Sequence, residues 1–507
     1  MSAPALFWLK GSVNETFRRG MGSRMNIAIV GASGFVGKAL IEHLLAYSDH
    51  HLIAISRSRL SYASPRFEWR GCDLHNLLEL ERVLEGAETA VYLIHSMLPG
   101  ARLNQGNFSD FDLSLADNFG RTARLRGIQR VIYLSGLIPE NCELSDHLKS
   151  RKEVEDVLRS YVPKVTCLRA GMIIGPQGSS FTIVVRLVER LPLMICPAWT
   201  HHQSQAVYLD DVTHILARCI EDKSLDAQTF DLGAEPAMTY VSMLEKTSQI
   251  LGNKTLFISL PMLSVQLSKL WVRLVSGAPK DLVYPLVESL REPMLVRPTH
   301  RWMEAGWAYT PFETAVRKVV SAMKSEKHLH PHAFRSWRIK QKTVRSIQRL
   351  KLPKGRNAAW VADQYVDYLP KIFPLLVRVL REGSTIYLKM RGLPINLLIL
   401  DYSRDRSSPD RQLFYVRGGL LSNSKSGKAR LELRETLDGS LCLAAVHDFT
   451  PRLPWIFYRF TQAVIHAWFM ARLGNYIQRP MSPEAGPFLG HGDFTTQKDE
   501  VKHASKS

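Results

Sequence analysis

The sequence predicts an α/β chain: a doubly wound parallel sheet with a small substrate lobe, followed by a separate α+β unit. Three observations predict it. The apolar run Asn26-Ile-Ala-Ile-Val30 leads into the glycine turn Gly31-Ala-Ser-Gly34-Phe-Val-Gly37, and then into a helical pattern with Leu40, Ile41, Leu44 and Leu45 on one face. Strand-like and helix-like stretches then alternate as far as Leu168. After residue 343 the pattern changes to short strands separated by turn residues.

Strand, glycine turn and helix in that order form a phosphate-binding arrangement. Gly31 permits the tight turn, Gly34 lets the backbone approach a pyrophosphate, and Gly37 lets the helix pack close to the strand. The helix N-terminus presents N–H groups and a positive dipole end to the anion. Ser33, Phe35 and Val36 sit in the same turn and count with the glycines as cofactor-binding candidates. Further strands read at Leu52–Ile55, Ala90–Ile94, Val131–Leu134 and Val165–Leu168, with helices around Leu77–Leu84 and Phe111–Arg126. Ligands of such sheets bind at the carboxyl ends of the strands. The second strand ends in Ser56-Arg57-Ser58-Arg59, without the acid that would hold a ribose 2′-hydroxyl. Arg57 suits a 2′-phosphate, which favours NADP(H) over NAD(H). The third strand ends near Asp73 and Leu74, placed to flank an adenine; the fourth ends in Ile94-His95-Ser96-Met97 and the fifth at Ser135.

GASGFVG, Asp73-Leu74, Ser135, the segment Leu168-Arg-Ala-Gly-Met-Ile-Ile-Gly175-Pro176 and Tyr208-Leu-Asp-Asp-Val212 together resemble the short-chain dehydrogenase/reductase superfamily over roughly residues 26–320. Within it, His95-Ser-Met97 and Ser145-Asp-His-Leu-Lys-Ser-Arg151 resemble an atypical branch of epimerase- and dehydratase-like NAD(P)-binding proteins. The resemblance implies a catalytic Ser with Tyr-x-x-x-Lys on one helix face. Here Ser135 matches the serine, His147 takes the tyrosine position and Arg151 the lysine position. A histidine titrates near neutral pH. An arginine can hold ribose or phosphate but does not deprotonate. Two readings follow: an enzyme with a changed acid/base, or a site that binds cofactor without turnover.

The net charge of +19 suggests attraction to anionic partners. No acid lies between Glu326 and Asp363, whereas ten lysines and arginines do. No nucleic-acid module accompanies them, so the run reads as a solvated linker and an exposed strand face, with no specific nucleic-acid partner. The six cysteines form no CxxC pair and no zinc spacing, which suits a reducing, cytoplasmic setting and no metal. Residues 1–25 read as a basic extension ahead of Met25, from an upstream start codon or a transit peptide. Leu256–Val275 and Leu453–Leu473 are interrupted by charge and read as amphipathic helices, which leaves peripheral membrane contact open.

The expected organisation is residues 26–325 as the Rossmann-type unit, with its lobe at about 176–205 and 235–325. A basic linker follows at 326–342, a second domain at 343–478 and a disordered tail at 479–507. In the second domain a strand at Thr343–Leu352 precedes helices over Trp360–Leu380, broken at Pro370 and Pro374. Five strands between Thr385 and Asp448 and a helix from Leu453 to Ile477 follow. That helix carries Phe457, Phe460, Val464, Ala467 and Trp468 as an apolar stripe. The order resembles the helix-grip fold of the START and polyketide-cyclase-like superfamily, which implies an apolar ligand cavity. His447, Asp448 and His466 are its polar residues of interest. The expected function is an NADP(H)-dependent oxidoreductase or epimerase-like enzyme on a small carbonyl substrate of apolar character. The alternative is an NADP(H)-binding sensor or assembly factor that binds a hydrophobic ligand in the second domain.

Overall fold

The computed structural model describes residues 24–96, 103–260, 264–325, 343–423, 427–436 and 439–479. The leading extension up to residue 23, Met97, the basic linker and the tail from 480 lie outside the described residues. The described residues fall into two compact units, one of residues 24–96 and 115–325, the other of residues 103–114 and 343–479. No described helix is long and apolar enough to cross a membrane.

In the first unit, strands β1 (Asn26–Val30), β2 (His51–Ser56), β3 (Phe67–Gly71), β4 (Thr89–Tyr92), β5 (Arg130–Gly136), β6 (Lys164–Ala170) and β7 (Thr229–Leu232) form one sheet. Its order is β7-β6-β5-β4-β1-β2-β3, and every pairing is parallel. Parallel strands are covered on both faces, and β1 and β2 accordingly read as unbroken apolar runs. The strand order reverses between β1 and β4, which sets the ligand crevice at their carboxyl ends. The helices are α1 (Phe35–Tyr47), α2 (Leu77–Val83), α3 (Phe108–Leu125, of which residues 108–114 belong to the second unit), α4 (Asp146–Tyr161) and α5 (Leu209–Glu221). Leu40, Ile41 and Leu44 of α1 pack with Val212, Ile215 and Leu216 of α5 in one core. Truncating any of these leucines or isoleucines to Ala costs about 2–5 kcal/mol.

In the lobe, Leu256–Ser259 is a strand paired in parallel with Leu193–Cys196, and helix begins only at Val265. The helix expected from Leu256 is corrected there. Leu-Phe-Ile-Ser is β-prone and Pro261 follows it, so the backbone stays extended.

In the second unit, β8 (Val344–Lys351), β9 (Val377–Glu382), β10 (Thr385–Met390), β11 (Asn396–Tyr402), β12 (Arg411–Gly418), β13 (Arg430–Thr436) and β14 (Leu441–Phe449) pair antiparallel in the order β9-β10-β11-β12-β13-β14-β8. The short strand Leu103–Gln105, from the first half of the chain, adds in parallel beside β8. Helices α6 (Ala358–Ile372), α7 (Trp455–Phe460) and α8 (Gln462–Ile477) complete it. One apolar layer gathers Phe414, Leu431 and Leu433 with Tyr365 and Val366 of α6 and Phe469, Met470 and Leu473 of α8.

Several expectations change here. Residues 377–382 form a strand rather than helix; Val-Arg-Val-Leu-Arg-Glu pairs with β10 around Gly383, whose φ of 59° makes the hairpin turn. Pro370 sits inside α6 and does not break it. The last helix divides at Thr461, and its buried face is Ala463, Phe469, Met470, Leu473 and Ile477. The stripe Phe457, Phe460, Val464, Ala467 and Trp468 faces out.

Candidate functional site

The glycine turn sits at the point where the sheet order reverses. Gly31 has φ 93°, a conformation L side chains rarely adopt, and a Cβ there would lie 3.2 Å from the Leu93 backbone. Its N–H donates to the Ile55 carbonyl at 3.0 Å, which ties the turn to β2. The Gly34 N–H closes the turn on the Gly31 carbonyl at 2.9 Å. Gly34 is the exposed N-cap of α1, with no side-chain cap and no acid in the first turn. Ser33, Phe35 and Val36 flank it, each half-buried. Gly37 is buried, and a Cβ there would lie 2.6 Å from the Gly31 carbonyl oxygen. This is a cradle of backbone that fits a dinucleotide pyrophosphate: an uncapped helix end with its dipole uncompensated, and side-chain bulk removed where the phosphates approach.

Other predicted residues surround this turn. Arg57 and Arg59 follow β2 and are exposed, with no acid between β2 and them. Asp73 and Leu74 lie just past β3. Asp73 is tied into its turn, its Oδ1 accepting the His75 N–H at 3.3 Å and its carbonyl accepting the Asn76 N–H at 2.7 Å. Leu74 is buried, and its carbonyl accepts from the Asn118 amide of α3 at 2.8 Å. Asn118 was not legible as part of this corner, since a lone Asn inside a helix carries no local signal. Ile94 lies against the turn, its Cδ1 3.3 Å from where a Gly31 Cβ would be.

The ring of His95 is 5.3 Å from the ring of His147. His147 and Arg151 are one turn apart on α4, whose N-cap Ser145 accepts the Leu148 N–H. Leu148 lies 3.9 Å from the position of a Cβ on Gly136, which brings the start of α4 beside the end of β5. Ser135 is buried in that end, and its Oγ has no hydrogen-bond partner among the described residues.

Burial, then the charge of Arg151 and the neighbouring His95, hold the His147 imidazole well below the usual histidine range. The ring is therefore neutral at pH 7, which sequence alone could not reveal. Arg151 donates to the Tyr133 hydroxyl at 3.3 Å. One turn further along α4, Glu155 takes a bidentate pair from Arg169 of β6 at 2.9 and 2.6 Å. Arg169 is the register partner of Ser135, so this buried pair braces α4 against the strand end that carries the serine.

His201 and His202 diverge, one to Ser259 and the other to the Leu290 carbonyl. Among the described residues no group of three or more His, Cys, Asp or Glu is placed to hold a metal ion. In the second unit His447 faces Glu432, Asp448 pairs with Arg430, and burial holds the His466 imidazole down at about 4.

Residues 31–192 match the profile of a family described as NAD(P)H-binding. The auxiliary protein GraX of Staphylococcus aureus is 30% identical over 112 residues, 22% of this chain and 36% of that protein. A ceramide reductase of Caulobacter vibrioides is 24% identical over 237 residues, 46% of this chain and 73% of that protein. The solved NADPH complex of an Escherichia coli NADPH-dependent quinone oxidoreductase aligns at 20% identity and a TM-score of 0.47, over 58% of this chain and 99% of that one. The chain thus spans about a third of the length of GraX. With the family match laid over the parallel seven-stranded sheet and its glycine turn, the N-terminal part is a Rossmann-like NAD(P)H-binding domain.

Proposed function

We propose that the chain is an NADP(H)-dependent oxidoreductase or epimerase-like enzyme acting on a small carbonyl compound of apolar character. The observation that carries this reading is the Ser135 hydroxyl, buried without a hydrogen-bond partner among the described residues at the carboxyl end of β5. A buried hydroxyl left unpaired costs about 1–3 kcal/mol, which a substrate oxygen accepting its proton would offset. Bound nicotinamide supplies the hydride. Ser135 donates a hydrogen bond from its O–H to the carbonyl oxygen, which takes its proton from solvent water once the hydride has added. His147, neutral, offers an N–H to the same oxygen rather than a labile ammonium-like proton. Arg151 remains charged and lends positive potential to a ribose or phosphate. A relative named a ceramide reductase is in keeping with an apolar substrate.

NADPH consumption against a panel of carbonyls and quinones, paired with direct titration of the cofactor, tests this. Ser135→Ala is expected to lower turnover on the order of a hundredfold with cofactor affinity unchanged. His147→Ala should lower it roughly tenfold to a hundredfold, the size of a lost hydrogen bond to developing charge. Because the imidazole titrates well below its usual range, the rate should show no limb near pH 6.5. A limb there that disappears in His147→Ala would make the histidine the proton donor instead.

Arg57 carries the cofactor preference. Arg57→Asp is expected to weaken NADPH by roughly tenfold or more and to leave NADH equal or tighter, because the acid accepts from a 2′-hydroxyl and repels a 2′-phosphate. Equal affinities of the unaltered protein for both cofactors would overturn the preference.

A second reading has its own support. Arg151 is engaged with Tyr133 and His147 is held neutral, so the usual proton-transferring pair is missing. On this reading the chain is an NADP(H)-binding sensor or assembly factor, in keeping with a relative named as an auxiliary protein. Tight NADPH binding with no turnover on any panel substrate would favour it. For the second unit we read a helix-grip fold, an antiparallel sheet folded on α6 and α8, suited to a hydrophobic ligand.

A further inference from the structure

The outward face of the last two helices is apolar, aromatic and edged with cations. Phe457 is 62% exposed, Phe460 70% and Trp468 43%, and Val464 and Ile465 lie among them. Neighbours four residues apart on a helix share a face, so Val464 and Trp468 lie side by side on α8, and Phe457 and Phe460 are exposed on α7 just before it. The apolar surface continues onto the loop before β9. The Phe373 ring lies 6.0 Å from the Trp468 ring, and two residues on Leu375 is 89% exposed. Isolated exposed apolar residues are ordinary on any surface, but a contiguous set of this size marks an interaction surface.

Along α7 and α8 the charge has one sign. No acidic residue occurs between Asp448 and Glu484. Arg452, Arg472 and Arg479 are exposed, and the Arg472 guanidinium lies over the Trp468 ring at 5.4 Å. Lys371 at the end of α6 donates to the Tyr476 hydroxyl at 3.1 Å and adds a further cation beside α8. A helix with Phe and Trp on one face and arginines along its margin lies in the plane of a bilayer interface. The ring ends of Trp and Phe seat among the acyl chains while the guanidinium groups reach lipid phosphates.

We propose that this face, Phe457 to Arg472 with Leu375, docks the protein on an anionic lipid surface. Charge complementarity selects that occupant. A second copy of the chain would bring the same arginines against one another with no acid on α7 or α8 to answer them. The net charge of +19 draws the whole molecule toward the same kind of surface. This docking is independent of what the first unit catalyses.

The test is sedimentation of the full chain with vesicles of phosphatidylcholine alone and with phosphatidylglycerol added. The unaltered protein should sediment with the anionic vesicles, and less so as salt is raised. Phe457→Gln with Phe460→Gln should weaken binding roughly tenfold per residue, the scale of a lost buried aromatic. Arg452→Gln with Arg472→Gln should weaken it roughly fivefold per charge on anionic vesicles and leave the neutral ones unchanged. Phe460→Trp, which keeps the aromatic anchor, should bind like the unaltered protein, and equal thermal melting separates lost docking from lost folding. Equal sedimentation of the Phe→Gln pair, or no preference for anionic vesicles, overturns the proposal. A concentration-dependent doubling of mass that the Phe→Gln pair abolishes, without vesicle binding, overturns it in favour of a second copy. Retention by one protein partner with no lipid binding overturns it likewise.

Discussion

Gly34→Val is expected to leave the chain folded and to remove binding of NADPH and NADH together. The backbone at Gly34, φ −73° and ψ 173°, is one a valine adopts without strain. A Cβ there meets only the Gly31 carbonyl oxygen, at 3.1 Å, so the turn yields by a few tenths of an ångström and the sheet survives. The cost falls on the ligand. Gly34 is the exposed N-cap, and two γ-methyls at that position stand over the N–H groups that a pyrophosphate has to reach. Gly37→Val is the contrast. Its Cβ would lie 2.6 Å from the Gly31 carbonyl oxygen and 2.8 Å from the Ala32 backbone, contacts that side chains cannot relieve. That variant should melt earlier, by an overpacking cost of about 1–3 kcal/mol, and lose binding as a consequence of misfolding. Calorimetric titration of both cofactors, beside circular dichroism of each variant, separates the two effects. A Gly34→Val protein that still bound NADPH with unchanged affinity would move the cofactor away from this turn.

The legibility of the site follows from how local each signal is. The glycine turn is local: Gly31 at φ 93° and Gly37 under the Gly31 carbonyl each demand a residue without a side chain, so the requirement is written in the sequence. The buried parallel strands are equally local, since double-sided burial makes each a continuous apolar run. The face of α8 is not. Ala463, Phe469, Leu473 and Ile477 follow helical spacing as well as Phe460, Val464 and Trp468 do, and periodicity cannot say which stripe meets the sheet. Residues 377–382 misled for a related reason. The run continues without a glycine from α6, and only pairing with β10 decides that it is a strand. Partnerships across long separations carry no sequence signal. Asn118 reaches the Leu74 carbonyl 44 residues back, and Leu103–Gln105 pairs with a strand that begins at Val344. The neutral state of His147 is of the same kind, because burial beside Arg151 and His95 is a product of the fold.

Glu432→Gln should be among the most destabilising single changes in the second unit. Glu432 is 3% exposed in the middle of β13, on the face opposite the apolar layer. Its Oε1 accepts from Arg411 at 2.7 Å and lies 3.5 Å from Arg434, and its Oε2 lies 3.6 Å from His447. Burial alone would push this carboxyl up. The charges of Arg434, Arg411 and Arg430 outweigh it and hold the group at about 2. Its folded value is thus depressed below the ordinary carboxylate value of 4.5, so the stabilisation is present above about pH 4.5 and is lost as pH falls toward 2. Gln keeps the shape and removes the charge, leaving Arg434 buried against a neutral group. Breaking a buried ionic set from one side costs about 3–5 kcal/mol. Hydrogen exchange in the full chain, read on peptides covering Arg411–Gly418 and Arg430–Thr436, should show protection falling by that amount at pH 7 and the difference from the unaltered protein shrinking as acid is added. Replacing Arg411 and Arg434 with Met and Glu432 with Leu together should recover much of the loss, since no charge is then left unanswered on that face. Unchanged protection in Glu432→Gln would mean that the arginines find other partners and that this carboxylate does not hold β12, β13 and β14 together.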